Sequence, residues 1–165
     1  MKNQSKVNIQ DQPSAFIAIH QLIQRYTDMI NLREWDVLPE IFSENAIWKA
    51  LPPVNMQLTG LSAICDGIPE SVGRTAFLVQ FTTGAIIEMH DDSRASVRSH
   101  LTEIGRFTDT EQDFRAVGIY RDIVICEDGI WKFYQRVFEL RHQLDHKTPG
   151  LNPHLPNAGT DRACS

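Results

Sequence analysis

From residue 15 to residue 32 the apolar side chains Phe16, Ile19, Leu22, Ile23, Tyr26, Met29 and Ile30 recur every three or four positions, with Gln21, Gln24, Arg25 and Asp28 between them. That period predicts an amphipathic helix, and Ser14 stands where an N-cap is wanted. Asn31 follows five residues after Tyr26. On a helix the two lie at the rim of the apolar stripe, just over one turn apart. Asp36 predicts the cap of a second, short helix over residues 37–42, with Pro39 in its first turn, where a missing N–H costs little. Residues 43–45 read as a turn and 46–51 as a first strand, stopped by Pro52 and Pro53. A helical segment follows over 61–67, interrupted at Ile68-Pro69.

Beyond that point the period changes. Residues 76–89, 95–107, 114–126 and 130–140 have strand composition, separated by turn clusters at 90–93, 108–113 and 127–129. Asp128-Gly129 is a strong two-residue hairpin signal. Successive hairpins make an antiparallel meander. Helices first and strands after predict an α+β fold with the helices on one face of a curved sheet.

Composition narrows the function. The 165 residues suit one domain, expected over 14–141, after a flexible lead-in at 1–13. Residues 142–165 hold three prolines and two glycines and read as a tail, either disordered or folded as a flap over a pocket or a partner subunit. Sixteen basic against 21 acidic residues give a formal charge of −5 without a Lys/Arg cluster, which argues against nucleic acid or an anionic membrane as partner. No apolar run reaches membrane-spanning or signal-peptide length, so the expected location is the cytoplasm. Cys65, Cys126 and Cys164 form no framework and read as reduced thiols. His142 and His146 have helical metal-ligand spacing but no third ligand, so no metal site is predicted.

Several strings, in order and spacing, carry a resemblance. They are Arg25-Tyr26 with Asn31 and Arg33 to Leu38, then Phe42 to Trp48, Thr102 to Arg106, Val117 to Asp122, and Asp128 to Phe133 with Arg136-Val137-Phe138. Together they resemble the SnoaL-like branch of the nuclear transport factor 2 superfamily over residues 14–141. The resemblance implies a cone-shaped α+β barrel with chemistry inside the cone. Its relatives include scytalone dehydratase, bile acid 7α-dehydratase, ketosteroid isomerase, polyketide cyclases, a lindane dehydrochlorinase and non-catalytic dioxygenase small subunits. It also implies no metal or organic cofactor, a small hydrophobic ligand, and a homodimer formed through the sheet.

The same resemblance places the lyase-type aspartate at Asn31 and its partner histidine at Gln80. Neither an asparagine nor a glutamine side chain can take up a proton. Tyr26 matches a tyrosine that donates to a substrate oxygen, and Glu103 an acidic residue on the strand side. A glutamate facing an apolar cavity has a raised pKa and works as acid or base; the alternative is an ion pair with a sheet arginine. If Glu103 faces inward, so do Val97, Ser99 and Leu101, while Arg98, His100 and Thr102 face outward. His100 is the alternative base if that register is wrong. On the last strand Tyr134, Arg136 and Phe138 are expected on one face, with Arg136 holding a substrate oxygen or pairing with Glu103 or Glu139. Trp48, Gln80, Tyr120 and Tyr134 complete the expected wall. Two readings stay open: a cofactor-independent lyase, isomerase or cyclase acting on a cyclic oxygenated molecule, steroid- or polyketide-like, and a non-catalytic ligand-binding or assembly subunit.

Overall fold

A computed structural model describes residues 13–146. The lead-in before Pro13 and the tail beyond His146 lie outside the described residues, and with them the choice between flap and disorder. Among the described residues, three α-helices pack on one six-stranded sheet. Helix α1 spans Pro13–Leu32, α2 Leu38–Ile41 and α3 Leu61–Gly73. The strands are β1 Phe42–Ala50, β2 Met56–Thr59, β3 Thr75–Asp91, β4 Arg94–Phe107, β5 Asp113–Glu127 and β6 Ile130–His146. Spatial order is β2-β1-β6-β5-β4-β3. All pairings are antiparallel except β1 with β6, so β3 to β6 form the expected meander. The sheet is curved and open, with β2 and β3 at its edges.

Helix α1 buries the predicted stripe, from Ile19 through Ile30, against the sheet. Two side-chain contacts fix its rotation on edge strand β3. The Thr27 and Thr82 hydroxyls are 2.7 Å apart, and one turn on Asn31 bonds to the backbone of Gln80. Helical spacing of four on one partner matches strand spacing of two on the other. The helix ends where Arg33 takes a left-handed φ of 58° and its guanidinium donates to Thr75 O at 2.9 Å.

The structure corrects several boundaries. Asp36 caps no helix; it sits inside a single 3-10 turn, Trp35–Val37, and α2 begins after it with no side-chain cap. Residues 43–45 are strand rather than turn. Between Phe42 and Ile47 the pairing of β1 with β6 slips, and that irregularity absorbs the polar Ser43, Glu44 and Asn45. Strand β2 was absent from the pattern because four residues alternating Met56, Gln57, Leu58, Thr59 carry too short a period. Helix α3 runs unbroken past Pro69. Strand β6 continues to His146, well past Leu140, held by β5 to its end. The Asp128-Gly129 turn has positive φ at both residues, 50° and 83°, as a two-residue type I′ hairpin requires.

Candidate functional site

Between α1, α3 and the inner face of the sheet lies a cavity of about 230 Å³. Ile30, Ile68, Val72, Leu78 and Phe138 give it apolar walls. Val54 and Gln143, both exposed, also border it, so it reaches solvent on that side. Its polar lining includes side chains from four different elements, Tyr26 from α1, Gln80 from β3, Glu103 from β4 and Tyr120 from β5. Strand alternation delivers the last three. On β4, Val97, Ser99 and Leu101 are buried while Arg98 and His100 are exposed, so Glu103 shares the inward parity. The accessible part of Glu103 borders the cavity.

Burial in this apolar space pushes the Glu103 carboxyl up to about 7. A hydrogen bond from Gln80 Nε2 to its Oε1, at 2.6 Å, opposes that shift without cancelling it. Gln80 and Glu103 are direct cross-strand partners, which is why the bond is so short. Gln80 is held in turn from its backbone. Its N–H donates to Asn31 Oδ1 at 2.7 Å, and its carbonyl accepts from Asn31 Nδ2 at 3.0 Å. Asn31 is thereby consumed in docking α1 to β3 and does not border the 230 Å³ cavity. A larger, more open depression of about 1380 Å³ runs along α1 and the middle of β3. Asn31 and Gln80 touch it, but Tyr26, Glu103 and Tyr120 do not. The ionisable groups Tyr26, Glu103 and Tyr120 therefore converge on the smaller cavity.

Tyr26 is 1% exposed and its hydroxyl accepts a hydrogen bond from Trp48 Nε1 at 3.1 Å. Its ring stands edge-on to Tyr120, with centroids 5.9 Å apart. Burial raises the pKa of Tyr26, and the Arg136 guanidinium, 4.1 Å from its ring centroid, opposes the rise. The net direction keeps Tyr26 a neutral phenol, able to donate. Burial raises Tyr120 further, with Tyr26 and Glu103 adding to the rise. Gly118 on β5 has a packing reason. A Cβ there would collide with the Phe138 ring and come within 3.0 Å of Glu139 O, so glycine lets Phe138 lie against Tyr120 with centroids 5.3 Å apart.

Arg136 is fully buried, but it lies behind the tyrosines rather than in the cavity lining. It stacks on Tyr120 at 3.6 Å and Phe133 at 4.4 Å as well as Tyr26. Its Nη1 donates to Asp122 Oδ2 at 2.8 Å. The expected partners, Glu103 and Glu139, are both engaged elsewhere. Glu139 is bonded to Arg121 and Arg141 on the outer face. Burial pushes Asp122 up and Arg136 opposes it.

Two expected site residues are elsewhere. His100 is exposed on the outer face of β4, as the parity that turns Glu103 inward demands. Tyr134 is 36% exposed and lies under Arg94, 5.6 Å from its ring centroid. The reason is a β-bulge. Ile123 pairs with Gln135 and Val124 with Phe133, so Tyr134 has no partner and the parity inverts. Phe133, Arg136 and Phe138 thus point inward, whereas Tyr134 does not. Sequence reasoning missed Asp122. Its signal was an acidic residue two positions after Tyr120 on the inward parity of β5, beside an inward arginine on β6.

The arrangement is an α+β cone whose largely apolar chamber is also lined by Tyr26, Gln80, Glu103 and Tyr120. The family model described as a SnoaL-like domain matches residues 15–137, and the chain belongs to that family. Comparison with curated proteins returns no match. Among solved structures, a candidate scytalone dehydratase from Novosphingobium aromaticivorans aligns with a TM-score of 0.75 at 21% identity, over 93% of this chain and 100% of that one. The hexachlorocyclohexane dehydrochlorinase LinA-type3 from Novosphingobium barchaimii aligns at 0.77 and 17%, over 90% and 100%. At such identities the likeness fixes the fold, and function is argued from this chain's own cavity.

Proposed function

We propose that the cavity is a catalytic pocket in which Glu103 moves a proton beside an oxygen held by Tyr26, making the protein a cofactor-independent lyase or isomerase. The carrying observation is a carboxyl with a pKa of about 7 in an apolar chamber that also holds a neutral phenol. Near neutral pH such a group takes and returns protons with similar ease. The carboxylate removes a proton from carbon next to a carbonyl whose oxygen accepts from Tyr26, and negative charge collects on that oxygen. The proton then has two destinations. Returned to another carbon, it completes an isomerisation. Delivered to a hydroxyl on the β-carbon, it leaves as water, the C–O bond breaks and a double bond remains. Glu103 ends as carboxylate in either case.

The chamber is smaller than the roughly 300–1,000 Å³ of pockets for drug-sized ligands. That favours a compact one- or two-ring oxygenated substrate, polyketide-like, over a four-ring steroid. Its other lining groups carry no Lys, Arg or His, so the substrate is neutral. The test is incubation with cyclic β-hydroxyketones in deuterated water, followed by mass spectrometry. Deuterium uptake or water loss is expected, falling at least about 100-fold in Glu103→Gln. Equal rates in the two proteins would remove the catalytic reading.

A non-catalytic assembly subunit is the second reading. It is favoured by the outer sheet face, where Phe81, Ile104, Val117 and Leu144 are 39–52% exposed. That face suits the expected homodimer. Sedimentation should give twice the chain mass, and Val117→Asp should return it to one.

A further inference from the structure

Gln80 Nε2 bonds to Glu103, yet the other end of the same amide, Oε1, is buried with no hydrogen-bond partner. Gln80 is only 4% exposed. A buried carbonyl oxygen left in that state costs free energy and calls for a reason. A glutamine amide rotates about its last torsion between two broad, nearly equivalent orientations, one presenting a donor and the other an acceptor. The observed orientation suits an ionised Glu103, and the idle oxygen suits a protonated one.

We propose that Gln80 is a two-way positioning residue for Glu103: its amide donates to the carboxylate, and turns to accept the proton of the carboxylic acid. Glu103 then keeps a hydrogen bond in both states and stays aimed at the same point in the cavity. A lysine or arginine at position 80 would hold Glu103 ionised, and a carboxylate would repel it. An amide imposes neither state. The backbone cannot follow the turn, because Asn31 clamps both the N–H and the C=O of Gln80. Only the end of the side chain is free to move. Asn31 and Gln80 thus form a scaffold here, and the proton is carried by Glu103 on the neighbouring strand.

The groups facing Glu103 leave Gln80 this role. Helix α1 presents Tyr26 and β5 presents Tyr120, both kept neutral by burial. Helix α3 presents Ile68, Ser71 and Val72, β1 Trp48, and β6 Phe138 and Gln143. Arg136 is screened behind the tyrosine rings. Among the described residues, Gln80 makes the hydrogen bond to Glu103.

The inference rests on Glu103 as proton carrier, but its test needs no substrate. The side-chain amide signals of Gln80 are followed by NMR across neutral pH, with the Glu103 carboxyl carbon followed in parallel. The Gln80 signals are expected to shift with the Glu103 midpoint, and to stay flat in Glu103→Leu. In Gln80→Leu a hydrogen bond is lost from both protonation states, so the Glu103 midpoint should rise by less than about half a pH unit. Gln80 signals that ignore the Glu103 titration in the unmodified protein would overturn the proposal, whether or not Gln80→Leu folds. A larger rise in that variant would also overturn it, because it marks a residue that donates to the carboxylate alone. A normal titration with no turnover on any substrate would instead count against the catalytic reading alone.

Discussion

Asn31 pairs with the backbone of Gln80 through both ends of its amide, accepting at Oδ1 over 2.7 Å and donating at Nδ2 over 3.0 Å. The side chain behaves as one more strand residue against the exposed edge of β3. It satisfies two main-chain groups that an edge strand otherwise leaves open. Because Gln80 is the residue clamped, the contact also sets the position of Glu103 across the ladder.

This pairing makes a test of Asn31→Asp. A carboxylate keeps the acceptor but loses the donor, and sets a negative charge against the Gln80 carbonyl. We expect a loss of about 1–3 kcal/mol in urea denaturation, with faster amide exchange along β3 near Gln80. Unchanged stability would mean that α1 docks without this contact.

Glu103 ties stability to pH. Its value is raised from 4.5 to about 7 by burial, so the native state binds the proton more tightly than the unfolded chain. Below about pH 4.5 both states hold the proton and stability is complete. As pH rises towards 7 the unfolded chain loses its proton first, and stability falls by up to about 3 kcal/mol before levelling above the native value. Glu103→Gln has no charge to bury. Its melting temperature should exceed that of the unmodified protein at pH 8, and the gap should close towards pH 4. A gap that widens on acidification would contradict the assignment.

Tyr134 shows where the pattern of residues stops being informative. Strand composition marked β6, and alternation correctly turned Glu103 inward while leaving His100 outside. Alternation fails wherever a ladder gains a residue, however, and nothing in Phe133-Tyr134-Gln135 announces the bulge. Pro69 misled for a related reason. A proline marks a break on average, yet α3 carries one in its interior. Tyr26 and Glu103 were legible because each sits on a long periodic element. Asp122 was not singled out, since its meaning depends on Arg136, an ion-pair partner fourteen residues away. The role of Asn31 was hidden too, because the composition of a helix rim does not reveal which strand edge it meets.

The Asp122–Arg136 pair is fully buried, and removing one partner leaves an uncompensated charge. Arg136→Met should cost about 3–5 kcal/mol at alkaline pH, where the carboxylate is charged. Arg136 lowers the Asp122 value, so without it Asp122 holds its proton to higher pH and the penalty should shrink on acidification. The double variant Asp122→Leu with Arg136→Met should recover most of the loss, because apolar replacements of a whole buried pair are often neutral. A denaturation cycle with additive losses would show that the two side chains act independently.

Trp48 and Tyr26 test the phenol from its supporting side. The indole N–H has one donor and no acceptor, so in a buried position it depends on the Tyr26 oxygen, 3.1 Å away. Tyr26→Phe keeps the ring that stacks on Arg136 and removes only that oxygen. Stability should fall by about 1–2 kcal/mol, the cost of an orphaned buried donor. The Trp48 indole proton should move upfield in the NMR spectrum, while those of Trp35 and Trp131 stay in place. Trp48→Phe removes the donor and leaves the phenol less acidic, since the bond from Trp48 lowers the Tyr26 value. Turnover in Trp48→Phe should therefore fall by less than in Tyr26→Phe, because the weakened phenol still reaches the substrate oxygen. If Tyr26→Phe left turnover untouched while moving the Trp48 signal, the tyrosine would be a structural acceptor and the substrate oxygen would have to be held by Tyr120.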